Sequence, residues 1–253
     1  MMQERTYGEL AVSIADTHTE LGEAAAAQFA AAVRAELAEK DEIGVILALG
    51  AAQDAFFGAL KRRTDIEWGR ITVLHVDTYM GIGWDSPASG AQRMRKHLLD
   101  EVGPKEFLPM DGAAEPVEDE LARYTEIYNR FQPEVCIVGI GESGHLAFND
   151  PPADFDTRDI TRVVLLDQTT RGQISKNGIF PSIDEVPTYG ISLTMHALLK
   201  PKTVIALVHE VDKAPVVKKI LEGPVTFMVP ASILQQHPNA HLYLSQETAS
   251  LLD

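Results

Sequence analysis

Two rhythms of apolar residues alternate along the chain. In LGEAAAAQFAAAVRAELAEK (21–40), Leu21, Ala25, Phe29, Val33 and Leu37 recur one turn apart on a single face, which predicts an amphipathic helix. The next apolar run, IGVILALG (43–50), is continuous and closes on glycine. That is the pattern of a parallel strand covered on both faces. AQDAFFGALKRRT (52–64) reads as a helix and ITVLHVD (71–77) as a strand. Helices follow at 90–102 and 118–131, then the strand EVCIVGIG (134–141). Beyond the break NDPP, strands are expected at 161–167, 189–194, 202–210, 225–231 and 240–244, with a helix at 213–223. Such alternation predicts an α/β fold, doubly wound, with a mostly parallel sheet and helices on both faces. No internal repeat or linker-like shift divides the chain, so 1–253 reads as one domain. Two long polar or Pro-rich stretches, 84–90 and 149–161, read as surface loops or lids.

Composition narrows the class. With 45% hydrophobic and 23% charged residues the chain is globular. Its net charge of −15 disfavours nucleic acid and anionic membranes as partners, and an anionic substrate must be met by locally placed cations or backbone amides. No apolar run reaches the ~18 residues of a membrane span, and the N-terminus has no cleavage signal. The single cysteine, Cys136, sits in a strand as a core thiol. A soluble, reduced, cytoplasmic protein is expected. His75 and His97 lack a partner at metal-ligand spacing. His196 and His237 read as packing or capping residues, the run 61–63 as a solvated helix end, and Trp84 as a loop aromatic.

The stretch VCIVGIGESGHLAFNDPP (135–152) contains G-x-G-x-x-G at Gly139, Gly141 and Gly144. A dinucleotide fingerprint requires a helix after those glycines and an acid about 20 residues on. Here Pro151 and Pro152 stop any helix after one turn. The turn instead delivers His145 to a strand's carboxyl end, where open α/β sheets bind ligands. Asp77 ends another strand as a base candidate. The turn Gly50-Ala51-Ala52 offers backbone amides to an anion, and Lys213 follows a fourth strand. Together they suggest a site for a sugar phosphate or similar small anion.

At these residues the chain resembles the glucosamine-6-phosphate deaminase family, within the superfamily that also holds 6-phosphogluconolactonases. The likeness runs through LALGAAQDAFFGAL (47–60), LHVDTYMGI (74–82), VGIGESGHLAFNDPP (138–152), VPTYGISLTMHALL (186–199), Lys213-Ala214, EGPV (222–225) and PASILQQHP (230–238). The resemblance implies conversion of an aminosugar phosphate to a ketose phosphate with release of ammonia, without metal or redox cofactor. It implies that Asp77 carries the proton between C2 and C1, and that His145, oriented by Asp150, opens the ring. The phosphate is then met by the amides of Gly50, Ala51 and Ala52, by Lys213, and by either Arg171 or Lys176.

Three departures stand out. Ser143 occupies the place of a family Asp, Asp77 is followed by Thr78 rather than Glu, and the phosphate turn has lost its hydroxyl and continues into Gln53. Ser143 removes a charge from the His145 network, which is expected to lower the imidazole pKa. Two other functions are compatible with the fold, a sugar-phosphate sensor without catalysis and a lactone hydrolase. The AFND continuation and the VDTYMG stretch favour the deaminase, and with the chain acidic and its first strand near the start, no DNA-binding module is expected. The early C-terminus argues against an allosteric extension. Homo-oligomerisation stays open.

Overall fold

The structure, a computed structural model, describes residues 2–253, with the side chain of Ala51 outside the description. The chain opens with a hairpin, β1 (Gln3–Tyr7) and β2 (Leu10–Ala15), turned at Gly8 with φ +60°. Helix α1 (His18–Glu39) starts on Thr17, whose side chain accepts the Glu20 N–H. There follow β3 (Ile43–Leu47), α2 (Asp54–Arg62), β4 (Ile71–His75), β5 (Asp77–Tyr79), α3 (Gly90–Met94), α4 (Asp100–Val102), β6 (Glu106–Leu108), α5 (Val117–Phe131) and β7 (Val135–Gly139). The second half carries β8 (Thr161–Leu165), α6 (Gln168–Lys176), β9 (Tyr189–Leu193), α7 (Met195–Leu199), β10 (Thr203–Val208), α8 (Ala214–Glu222) and β11 (Ala240–Ser245). A π-helical turn, Arg95–Leu99, joins α3 to α4.

Eight strands form one sheet in the order β1-β2-β11-β10-β7-β3-β4-β6. All neighbours are parallel except β1 and β2. From β3 the order runs outward to β4 and β6, and from β7 it runs the other way to β10 and β11. The crevice at the carboxyl ends of β3 and β7 is therefore the topological switch point where open sheets hold ligands. Alternating residues of the strands feed two cores. Val45 and Leu47 pack with Phe29 of α1 and Phe56 of α2, while Ile46, Cys136 and Val138 pack with Tyr124 and Tyr128 of α5 and Ile220 of α8.

Three sequence expectations change. The strands at 161–167 and 189–194 leave the main sheet and, with β5, make a small antiparallel sheet ordered β5-β9-β8. It covers its own cluster of Phe148, Val164, Leu166, Ile174, Phe180 and Val186. The run ITVLHVD breaks after His75, so that Asp77 begins β5 and pairs with Ser192. The segment 225–231 is not a strand. Thr226 and Val229 close a tight bridge, and Pro230 starts a 3₁₀ helix, Pro230–Gln236, because a proline offers no N–H to a ladder. Strand β1 and helix α6 have no sequence counterpart, since QERTY and QTTRGQISK lack an apolar period, whereas β2, LAVSIA, alternates buried and half-buried positions. Among the described residues no helix is long and apolar enough to cross a membrane.

The bend between β4 and β5 is pinned by Tyr124. Its Oη accepts the His75 N–H at 2.6 Å and lies 2.9 and 3.0 Å from the carbonyls of His75 and Leu108. The residue is fully buried. Tyr124→Phe leaves the buried His75 N–H without this acceptor and is expected to cost about 1–3 kcal/mol. Urea unfolding checks this as a lower midpoint at unchanged m-value.

Candidate active site

One cleft at the switch point gathers residues from both sheets. It is lined by Gly50, Ala52 and Gln53 after β3, His75 and Asp77 at the β4–β5 bend, Gly139 at the end of β7, Gly141 after it, and His145 beyond them. Tyr79, Arg93, Glu210 and Lys213 also face it. The segments that bring these together are separated by up to a hundred residues and more, and apart from Arg93, on α3, each is a strand end or the loop after one.

The loop after β7 is built around two glycines. A Cβ at Gly141 would lie 2.1 Å from His145 Nε2, so only glycine lets the ring pack there. Gly144 has φ +82°, a region closed to most side chains. Hydrogen bonds from Gly141 N–H to the His145 carbonyl (3.1 Å) and from Gly144 N–H to the Gly141 carbonyl (2.9 Å) close the turn. Asn149 ties the loop to β9 by donating from Nδ2 to the carbonyls of Leu146 and Leu193, each at 2.9 Å. No helix follows the glycines, and the dinucleotide reading stays rejected.

His145 is held from its Nδ1 side. That nitrogen lies 2.8 Å from Asp150 Oδ1, 2.9 Å from Ser143 Oγ and 3.2 Å from Thr170 Oγ1. Thr170 donates to the same Asp150 oxygen at 2.7 Å, Ser143 donates to it at 3.3 Å, and the Asp167 N–H donates to Asp150 Oδ2 at 3.3 Å. A carboxylate only accepts, so Nδ1 carries the proton toward Asp150 and Nε2 is left for the cleft. Burial pulls the Asp150 pKa upward. The hydrogen bond and charge of His145, with the Thr170 and Asp167 donors, outweigh it and hold the carboxyl below its ordinary value. Ser143 thus keeps a neutral contact to the His145–Asp150 pair at the position where the resemblance expects a carboxylate.

Asp77 is the opposite case. Among the described residues its carboxyl has no hydrogen-bond or ion-pair partner. It keeps some surface open to the cleft, yet the walls withhold bulk water, and this desolvation pushes its pKa up to about 7. His75, also desolvated, is pushed down to about 4 and is neutral.

The cations are not all where the sequence suggests. Lys213 is buried against the cleft and donates to Glu210 Oε1 at 2.8 Å. Burial opposes ionisation of Glu210, but the Lys213 charge and hydrogen bond win and lower its pKa. Neither Arg171 nor Lys176 lines the cleft. Arg171 donates to the carbonyls of Ile183 and Val186 at 2.8 and 2.9 Å, and exposed Lys176 lies 3.3 Å from Glu142. Both sit on α6, whose inward face is given to Thr170, Gln173 and Ile174, with Asn177 at its C-cap also facing the cleft. Arg93, from α3, is the further cation at the cleft. Arg93 and Glu210 have no assigned role in the sequence reading, and Tyr79 enters it only as part of LHVDTYMGI. Trp84 lines a separate groove near β6.

The chain belongs to the family of glucosamine-6-phosphate isomerases and 6-phosphogluconolactonases, whose family model matches residues 16–243. Within that family it is 33% identical over 207 residues to a glucosamine-6-phosphate deaminase of Listeria monocytogenes serotype 4a (strain HCC23), covering 81% of this chain and 86% of the relative. It is 35% identical over 207 residues to the same-named protein of Lacticaseibacillus paracasei (strain ATCC 334), covering 81% and 85%. Among solved structures, a monomeric glucosamine-6-phosphate deaminase superposes with TM-score 0.86 at 29% identity, over 95% of this chain and 99% of that one. The 6-phosphogluconolactonase of Trypanosoma brucei superposes with TM-score 0.75 at 18% identity over 99% and 100%, a likeness of fold.

The desolvated Asp77 has a consequence for folding. The unfolded carboxyl titrates near about 4 and the folded one near about 7. Between those values the folded chain binds more protons, so this group's contribution to stability is complete below the lower value and lost as pH rises through the upper one. Asp77→Asn is therefore expected to match the wild type in stability near pH 4 and exceed it above pH 7, as followed by chemical denaturation across the range.

Proposed function

We propose that residues 1–253 form one isomerase–deaminase domain acting on an amino-hexose 6-phosphate, converting glucosamine 6-phosphate to fructose 6-phosphate and ammonia. The observation that carries this reading is the pairing of an unpartnered, desolvated Asp77 with a His145 anchored through Nδ1, both in one cleft. His145 Nε2 moves a proton between the anomeric hydroxyl and the ring oxygen as the pyranose opens. Asp77 then takes the C2 proton and returns it to C1. This shifts the carbonyl character from C1 to the C2–N bond, whose imine adds water and releases ammonia. Asp77, whose pKa is pushed up to about 7, suits the C2–C1 transfer, where one group must take and return a proton near neutrality. Asp150 and Ser143 hold the imidazole, and Lys213 with the amides of Gly50, Ala51 and Ala52 meets the phosphate.

The reaction is tested by ammonia release from glucosamine 6-phosphate, with galactosamine 6-phosphate and the N-acetyl form alongside and Asp77→Asn as the blank. Release above that blank, with loss of C2 proton exchange in the variant, is the expected outcome. Sugar-phosphate binding without release points instead to a sensor, and unchanged C2 exchange in Asp77→Asn removes Asp77 from the mechanism.

Lys213→Ala is expected to weaken fructose 6-phosphate binding by about 1.5–3 kcal/mol. Because the substitution strands Glu210, Lys213→Ala combined with Glu210→Gln is the matched control. Calorimetry showing no change in affinity for either variant would move the phosphate elsewhere.

A further inference from the structure

Gln53 is the most conspicuous buried polar side chain at the cleft. It is fully buried, and neither Nε2 nor Oε1 has a hydrogen-bond partner. An amide left in that state is costly, and a residue chosen only to fill the space has apolar alternatives of equal size. The carboxamide lies between two glycines of the cleft wall. A Cβ at Gly50 would come 2.8 Å from its Oε1, and a Cβ at Gly139 would come 3.3 Å from its Nε2. These are the ends of the two strands that flank the switch point, and Gln53 itself lines the cleft between them.

The surroundings define what this amide can serve. The turn residues Ala51 and Ala52 bring no side-chain donor. Lys213 is already shared with Glu210 at 2.8 Å. Arg171 and Lys176 point their charges elsewhere. An anionic group entering the cleft finds Lys213, offset by Glu210, and Arg93 from α3, and an unpartnered carboxamide adds neutral donors to these without adding charge.

We propose that Gln53 is a substrate-binding residue whose carboxamide hydrogen-bonds the phosphate-bearing end of the sugar, setting affinity there in place of hydroxyl donors. The assignment rests on the reading of the substrate as a sugar phosphate. It concerns binding and leaves proton transfer to Asp77 and His145.

Gln53→Met keeps the volume and removes the hydrogen bonds. Calorimetry with fructose 6-phosphate and with inorganic phosphate is compared between wild type and variant, alongside steady-state kinetics on glucosamine 6-phosphate. The proposal expects both dissociation constants and KM to rise about ten-fold, kcat to stay within roughly two-fold, and thermal stability not to fall. Unchanged dissociation constants overturn it, as does a loss of kcat at unchanged KM, which marks a merely structural role. If Gln53→Met does not fold, Gln53→Asn is judged by the same dissociation constants. Wild type that binds fructose 6-phosphate but releases no ammonia defeats the deaminase reading while the binding ratio still decides Gln53. Wild type that deaminates, with a variant of unaltered affinity, defeats the Gln53 assignment alone. Wild type that binds neither ligand defeats both.

Discussion

The Asp150 carboxylate is the joint on which the cleft depends. It is buried, and burial alone opposes its charge. Its two oxygens are instead met by Ser143, His145, Thr170 and the Asp167 N–H. Those donors come from the loop after β7 and from the start of α6, so one carboxylate ties the main sheet's central loop to the helix that connects β8 and β9 of the small sheet. Asp167 also caps α6 by accepting the Thr170 N–H at 2.7 Å, which fixes the hydroxyl that reaches Asp150. The orientation of the imidazole follows from this network, because an acceptor-only group on one side leaves the other nitrogen to the cleft.

The two carboxylates of the site are therefore tuned in opposite directions by their surroundings. Asp150 collects donors and is held ionised, whereas Asp77 has none and is pushed toward the protonated form. Such a separation of pKa values is how one cleft assigns an orienting role and a proton-carrying role to chemically identical groups. The bend at His75, clamped by Tyr124, sets Asp77 in this position by moving it from the end of β4 into β5.

The same cleft is sparing with positive charge. In a chain of net charge −15, Lys213 is buried but offset by Glu210, and Arg93 reaches the cleft from α3. Ser143 adds a neutral hydroxyl next to His145 rather than a charge. On the proposed reading, affinity for an anion leans on amides and neutral donors that are in place before the ligand arrives.

The alternation of strand and helix, the central runs at 43–50 and 134–141, and the delivery of His145 by a glycine-rich turn were legible in the sequence, because periodicity and local sterics depend on residues near one another in the chain. So was the gathering of Asp77, His145, Lys213 and the Gly50 turn, since parallel strands all end on one side of a sheet. What the sequence left undecided were choices made by distant partners. Whether 161–167 joins the main sheet or a separate one depends on what it pairs with, and β9 pairs with β5 rather than with any strand of the large sheet. Arg171 looked suited to a phosphate until the carbonyls of Ile183 and Val186 claimed it. Gln53 is visible in the sequence as a departure in the phosphate turn, but its burial is not; Arg93 and Glu210 carry no local mark, and all three become part of the site only because folding closes Gly50 and Gly139 around one amide, turns one helix face inward and sets a carboxylate beside a buried lysine.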